Sequence, residues 1–91
     1  MPATMHYTKP YTRVKPDLAL RDHVRHAMDS FYNSLQGEYP ENVYHMVLTE
    51  IEHPLLESTM KYTGQNQSQA AQILGINRGT FRKKLAFYGM L

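Results

Sequence analysis

Apolar residues recur every three or four positions between residues 18 and 36, which predicts an amphipathic α-helix facing a core. We expect this helix to begin near Leu18, with Asp17 as its cap, and to be ended by Gly37. Its apolar face consists of Leu20, Val24, Ala27, Met28, Phe31 and Leu35.

A second, longer helix is predicted from Val43 to Thr63, with Asn42 at its N-cap. Pro54 lies inside this pattern and should kink the helix rather than end it. Its apolar face consists of Val43, Val47, Ile51 and Leu55, widened by Leu48 and Leu56.

Two short helices complete the pattern, from Gln67 to Leu74 and from Arg78 to about Tyr88. Gly75 permits the positive φ of a tight turn between them, and small Ala71 allows their close approach. We predict packing between these helices by Ile73, Leu74 and Ile76, and a buried stripe of Phe81, Leu85 and Tyr88.

The fold class is therefore all-α, with four helices: two longer dimerisation helices followed by a C-terminal helix-turn-helix. Residues 1–16 contain prolines without helical periodicity and are expected to form a flexible or loosely β-like arm, and no strand is expected after them. Residues 17–63 form the predicted helical dimerisation core, and residues 64–91 the helix-turn-helix region. The two long helices have more apolar surface than the short ones can cover, which favours a homodimer. The predicted dimer core is Leu20, Val24, Met28, Phe31, Val47, Ile51 and Leu55.

Charge is segregated along the chain. Residues 61–91 contain five Lys or Arg and no acid, whereas residues 1–60 contain five Lys or Arg and eight acids. Solvated surfaces ordinarily mix both signs, so a cationic end favours a polyanionic partner, nucleic acid before a membrane. There are no cysteines for disulfides or thiolate metal sites. No secretory signal or transmembrane segment is evident, which favours the cytoplasm.

The last helix would present its N-terminus to a major groove. Asn77 is the expected N-cap, Arg78 leads the first turn, and further cations flank the exposed surface. The competing interpretation is an ordinary amphipathic helix with solubilising cations.

The segment "NQSQAAQILGINRGTFRKKLAFYGM" resembles the C-terminal end of the Fis family of bacterial nucleoid-associated proteins, and is similar to the DNA-binding end of NtrC-type activators. The resemblance continues through "LRDHVRHAMDSFYNSL" and "VYHMVLTEIEHPLLESTMKYT" and covers about residues 15–91. It implies an intertwined, non-enzymatic homodimer that binds and bends double-stranded DNA in the nucleoid. RNA polymerase is a candidate partner, and no cofactor is implied.

The resemblance also implies residue roles. Arg78 would read a guanine edge, with Asn77 and Lys83 beside it. The residues implied to contact phosphates are Asn66, Ser68, Thr80, Arg82 and Lys84. The chain departs from enteric members, which have lysines at the positions of Ala86 and Phe87. Its arm does not match their recombinase-stimulating hairpin, so recombinase interaction is not carried over.

Two alternatives remain open. A dedicated regulator would resemble the DNA-binding domain of NtrC-type activators and would read one operator. A metal-binding helical bundle would use Glu50 and His53, whose Glu-x-x-His spacing occurs in carboxylate-bridged sites.

Overall fold

A computed structural model describes the backbone of residues 13–15 and 18–91, and side chains from residue 19 onward. The chain divides into two compact units, Met1–Pro40 and Glu41–Leu91. Most of the predicted flexible arm, residues 1–12 and 16, lies outside the described residues, as does the predicted cap Asp17. The elements are β1 (Arg13–Lys15), β2 (Leu18–Ala19), α1 (Leu20–Asn33), α2 (Val43–Tyr62), α3 (Gln67–Leu74) and α4 (Arg78–Phe87).

The first unit contains a short strand pair that precedes α1. β1 and β2 are antiparallel, with Arg13 opposite Ala19. The prediction of no strand after residue 16 was therefore wrong, and α1 begins at Leu20 rather than Leu18. The reason is local: Ala19 has an extended backbone, and its N–H donates to Asp22 Oδ2 at 3.1 Å. Asp22 also accepts from Arg25 at 2.6 Å, so one carboxylate holds the start of α1.

α1 ends earlier than the sequence predicts. Its last residue is Asn33, and both Gln36 and Gly37 have left-handed backbones, with φ of 52° and 87°. Leu35 therefore follows the helix instead of extending its apolar face. None of the 14 residues of α1 is buried, and Val24, Met28 and Phe31 of its apolar stripe are half-buried.

α2 is continuous through Pro54, which confirms the prediction that this proline does not end the helix. Its boundaries agree with the sequence to one residue. Asn42 occupies the N-cap position, but with a left-handed φ of 56° and no capping bond from its side chain. The predicted N-cap position of Asn42 is therefore confirmed.

α3 and α4 pack against the C-terminal half of α2. Their boundaries match the predicted ones to within a residue, and the four predicted helices are confirmed. A shared core joins them and is made of Leu56, Met60, Ala70, Ala71, Phe81 and Leu85.

Candidate nucleic-acid interface

The helix-turn-helix is fixed by close packing between α3 and α4. Phe81 and Leu85 on α4 are fully buried, and Ala70 and Ala71 on α3 are small enough to admit them. Leu74 and Ile76 pack against the same core, as predicted. Ile73 was predicted to join them, but 53% of its surface is exposed because it falls on the far side of α3.

Gly75 makes the tight turn possible. It ends α3 with φ of 73°, a region that residues with a Cβ rarely adopt. The next residue, Ile76, donates its N–H to the carbonyl of Ala71 at 3.0 Å. This pattern satisfies carbonyls left free at the end of a helix. The predicted turn at Gly75 is confirmed.

Asparagine side chains cap both helices of the motif. Asn66 Oδ1 accepts from the N–H of Gln69 at 3.0 Å, and Asn77 Oδ1 accepts from Gly79 and Thr80 at 2.7 and 3.2 Å. Each cap engages only the amide oxygen. The NH₂ group of each side chain is the part that can donate to a base or phosphate.

Three of the cations on α4 are exposed: Arg78, Arg82 and Lys83. Arg82 donates from Nη1 to Oε1 of Gln67, which is the first residue of α3. This bond joins the second turn of α4 to the N-terminus of α3, where Ser68 is also exposed. Sequence reasoning did not identify Gln67, because its role depends on the packing of α3 against α4.

Lys84 is the cation that α2 neutralises. Its Nζ lies 2.8 Å from Glu52 Oε2, and the hydroxyl of Tyr88 donates to Glu52 Oε1 at 2.8 Å. The hydrogen bond from Lys84, and to a lesser extent the one from Tyr88, holds the pKa of Glu52 below its ordinary value. The pKa of Tyr88 is raised, mainly by burial and secondly by the hydrogen bond to Glu52.

The ring of Tyr88 is held on two sides by aromatic contacts. His53 and Phe87 meet it edge-on, with centroid distances of 5.5 and 4.9 Å. Tyr88 is only half-buried, unlike Phe81 and Leu85 of the predicted buried stripe, and Phe87 is 71% exposed. Glu52 was not among the predicted site residues, since thirty-two positions separate it from Lys84 in the chain.

The predicted binding residues thus fall into two groups. Asn66, Ser68 and Arg82 lie around the N-terminus of α3, and Asn77, Arg78 and Thr80 form the first turn of α4 and its cap. Lys83 is exposed in the middle of α4, whereas Lys84 faces α2.

Glu50 and His53 are both exposed on α2. Within the described part of the chain, no group of three or more His, Cys, Asp or Glu side chains is placed to hold a metal ion. His53 instead packs its ring against Tyr88.

α2 exposes an apolar stripe on its surface. Leu48, Ile51 and Leu55 are 47%, 40% and 48% exposed, and they line a groove of about 380 Å³ together with Phe87 and the Glu52–Lys84–Tyr88 cluster. Tyr44 and Tyr62 continue the stripe toward either end. None of the described helices is long and apolar enough to span a bilayer.

Comparison with known proteins agrees with this architecture. Residues 47–88, which include most of α2 and the whole helix-turn-helix, match the family described as "Bacterial regulatory protein, Fis family". A protein named "DNA-binding protein Fis" from Mannheimia haemolytica is 55% identical over 71 residues, covering 78% of this chain and 72% of the relative. The chain belongs to the Fis family. A protein of the same name from Haemophilus ducreyi shows the same identity and coverage. The resemblance expected from the sequence is confirmed.

Proposed function

We propose that this protein is a homodimeric, non-enzymatic DNA-binding and DNA-bending regulator that is associated with the nucleoid in the cytoplasm. The observation that carries the proposal is the packed helix-turn-helix, whose recognition helix α4 exposes Arg78, Arg82 and Lys83. Fis-family membership and the name of the two relatives support the same function.

The cap geometry supports specific roles in the first turn of α4. A helix that enters the major groove N-terminus first brings its leading residues to the base edges. Arg78 is exposed there and has the planar fork that recognises guanine O6 and N7. Asn77 and Lys83 flank it as further candidates for base contact.

Phosphate contact is proposed for the polar groups around this turn, Asn66, Ser68, Thr80 and Arg82, and for Lys84 farther along α4. Backbone N–H groups, hydroxyls and cations are the usual phosphate donors. The bond between Arg82 and Gln67 supports a single phosphate-binding surface formed from α3 and α4. Such contacts set the position of the protein but carry no sequence information.

The exposed stripe of α2 supports dimerisation. Tyr44, Leu48, Ile51, Leu55 and Tyr62 repeat mainly at alternating intervals of four and three residues, the pattern of helices that pair along a seam. α1 likewise buries none of its own residues, although Leu20, Val24, Met28 and Phe31 form a stripe. Because apolar surface of this extent is costly in water, a second copy is the proposed cover.

DNA bending follows from the geometry of a dimer. Two recognition helices reach successive major grooves of straight DNA when they lie about 34 Å apart. A shorter separation requires the DNA to bend, and part of the sequence preference then comes from deformable steps that the protein never touches.

Fluorescence anisotropy tests the proposal. A duplex of ~30 base pairs, with an AT-rich centre and flanking G·C pairs, is titrated at several salt concentrations. A dimer making ~6–10 phosphate contacts predicts a log–log slope of about −5 to −9. A slope near −2, or no binding, would contradict the proposal. Competition with sheared genomic DNA then separates an architectural protein from a dedicated regulator, which should prefer its site by ~10³-fold or more.

A further inference from the structure

The cationic end of the chain has one internal acidic partner. Residues 61–91 contain no acid, yet Glu52 on α2 reaches across to Lys84 on α4, at 2.8 Å. Among the described residues this is the ion pair that joins two helices, because the other, Asp22–Arg25, lies within α1. It removes the net charge of one of the proposed phosphate contacts.

The pair is held in place from several directions. Both carboxylate oxygens of Glu52 are engaged, one by Lys84 and the other by the hydroxyl of Tyr88. The Tyr88 ring is itself fixed between His53 and Phe87. Glu52 also lies one turn before Leu56, whose side chain is buried in the core that α2 shares with α3 and α4. The carboxylate therefore meets Lys84 at a packed helix–helix contact rather than at a mobile surface site.

We propose that Glu52 is an internal competitor of DNA for Lys84, and that it attenuates the affinity of the protein for the phosphate backbone. This inference rests on the proposed function. In the free protein, Lys84 already has an acceptor, the carboxylate of Glu52. A DNA phosphate must either displace this carboxylate or share Lys84 with it. Binding then gains less from Lys84 than from exposed Arg82 or Lys83.

The expected size of the effect follows from the pair. The side chains of Lys84 and Glu52 are 36% and 30% exposed, so solvent screens their attraction in part. A pair of this kind contributes ~0.2–1 kcal/mol, and a dimer contains two, which corresponds to an affinity cost of roughly 2- to 25-fold. A neutralised Lys84 also contributes little counterion release. Freeing it should make the salt slope steeper by about 0.9 per subunit, or about 1.8 per dimer.

Glu52→Gln is the direct test. Glutamine keeps the shape of the side chain and an oxygen that accepts from Tyr88, but it removes the charge. Glu50→Gln is the matched control, because it removes the same charge from an exposed residue of the same helix. Tyr88→Phe is a second control, since it removes the hydrogen bond to Glu52 and leaves the ion pair.

Affinity and salt slope are measured by anisotropy on the same duplex, with thermal melting of each variant beside them. We expect Glu52→Gln to bind roughly 2- to 25-fold tighter than Glu50→Gln, with a slope steeper by about 1.8. Tyr88→Phe should keep the wild-type slope. Equal behaviour of Glu52→Gln and Glu50→Gln would overturn the inference, as would weaker binding by Glu52→Gln.

Lys84→Gln keeps the inference falsifiable if Glu52→Gln folds poorly. In the wild-type background this change should lower the magnitude of the salt slope by clearly less than about 1.8, whereas in the Glu52→Gln background it should remove the full gain of about 1.8. A loss of about 1.8 in the wild-type background would show that Lys84 already holds phosphate fully and would overturn the inference. Absence of salt-dependent binding by the wild type would overturn the proposed function, and the inference with it.

Discussion

At the scale of single residues, the exposed surface of α4 separates side chains that can reach a base from side chains that are tied to the fold. Arg78 is exposed in the first turn of α4, directly after the cap. Arg82, one turn later, is already bonded to Gln67 on α3. This difference in position predicts different consequences of removing the two arginines.

Replacing Arg78 with alanine should cost ~1–3 kcal/mol at a preferred site and flatten the preference among sequences, because a base contact is lost. Arg82→Ala should instead weaken binding to all sequences alike and lower the magnitude of the salt slope by about one per contact. Anisotropy on preferred and scrambled duplexes measures both effects.

Gln67→Ala is the control for the Arg82 variant, since it removes the intramolecular partner and keeps the cation. It should leave the salt slope close to the wild-type value. Sequence-blind losses of equal size from Arg78→Ala and Arg82→Ala would contradict the proposed division between base and phosphate contacts.

The cap Asn77 and the turn at Gly75 were predictable from the sequence because they act on their immediate neighbours. Both satisfy or redirect backbone groups within a few residues, and Asn66, which was not predicted as a cap, acts in the same way. The partners of Arg82 and Lys84 were not predictable, because they depend on which faces of separate helices meet. Ile73 illustrates the same limit: helical spacing identifies an apolar residue without showing that its face is covered.

At the scale of elements, helix interiors followed the sequence better than helix ends did. The periodic segments of α2, α3 and α4 were found to within a residue. The predicted boundaries of α1 were wrong at both ends. Strand pairing holds Ala19 in an extended conformation before the helix begins, and Gln36 has a left-handed backbone after it ends. Neither cause leaves a periodic signal, and glutamine is not a residue type expected at positive φ.

The contact between α2 and α4 has a pH dependence whose direction follows from Glu52. Lys84 lowers the pKa of Glu52 from its ordinary value of 4.5, so the folded state favours the charged carboxylate. The contribution to stability is therefore present above about pH 4.5 and is lost as the pH falls through the lowered pKa. Because the pair is about one-third exposed, we expect no more than about 1 kcal/mol.

Chemical denaturation of wild type and Glu52→Gln measures this contribution. The wild type should be the more stable of the two at pH 7, and the difference should shrink toward zero as the pH falls well below 4. Glu50→Gln reports the effect of an exposed carboxylate on the same helix. A difference that stays constant from pH 7 to pH 3 would show that Glu52 acts through packing rather than charge.

At the scale of the whole molecule, the apolar surface left exposed by one chain supports the proposed dimer. The buried core of the second unit is small and is gathered at the C-terminal half of α2. Another face of that helix instead presents Leu48, Ile51 and Leu55 to solvent. Ile51 and Leu55, two residues of the predicted dimer core, are thus left partly uncovered by their own chain, as the proposed seam between two copies requires.

Ile51→Glu should therefore yield a monomer, because a charge at the centre of an apolar seam has no partner when two copies meet. Light scattering at micromolar concentration should give the mass of one chain for this variant and of two chains for the wild type. Gln72→Glu, which places the same charge on an exposed position of α3, should remain dimeric. The monomer should also bind DNA with about half the wild-type salt slope, because only one helix-turn-helix is then engaged. A wild type that is monomeric would contradict the seam, and a monomeric variant with an unchanged salt slope would show that DNA itself pairs the two subunits.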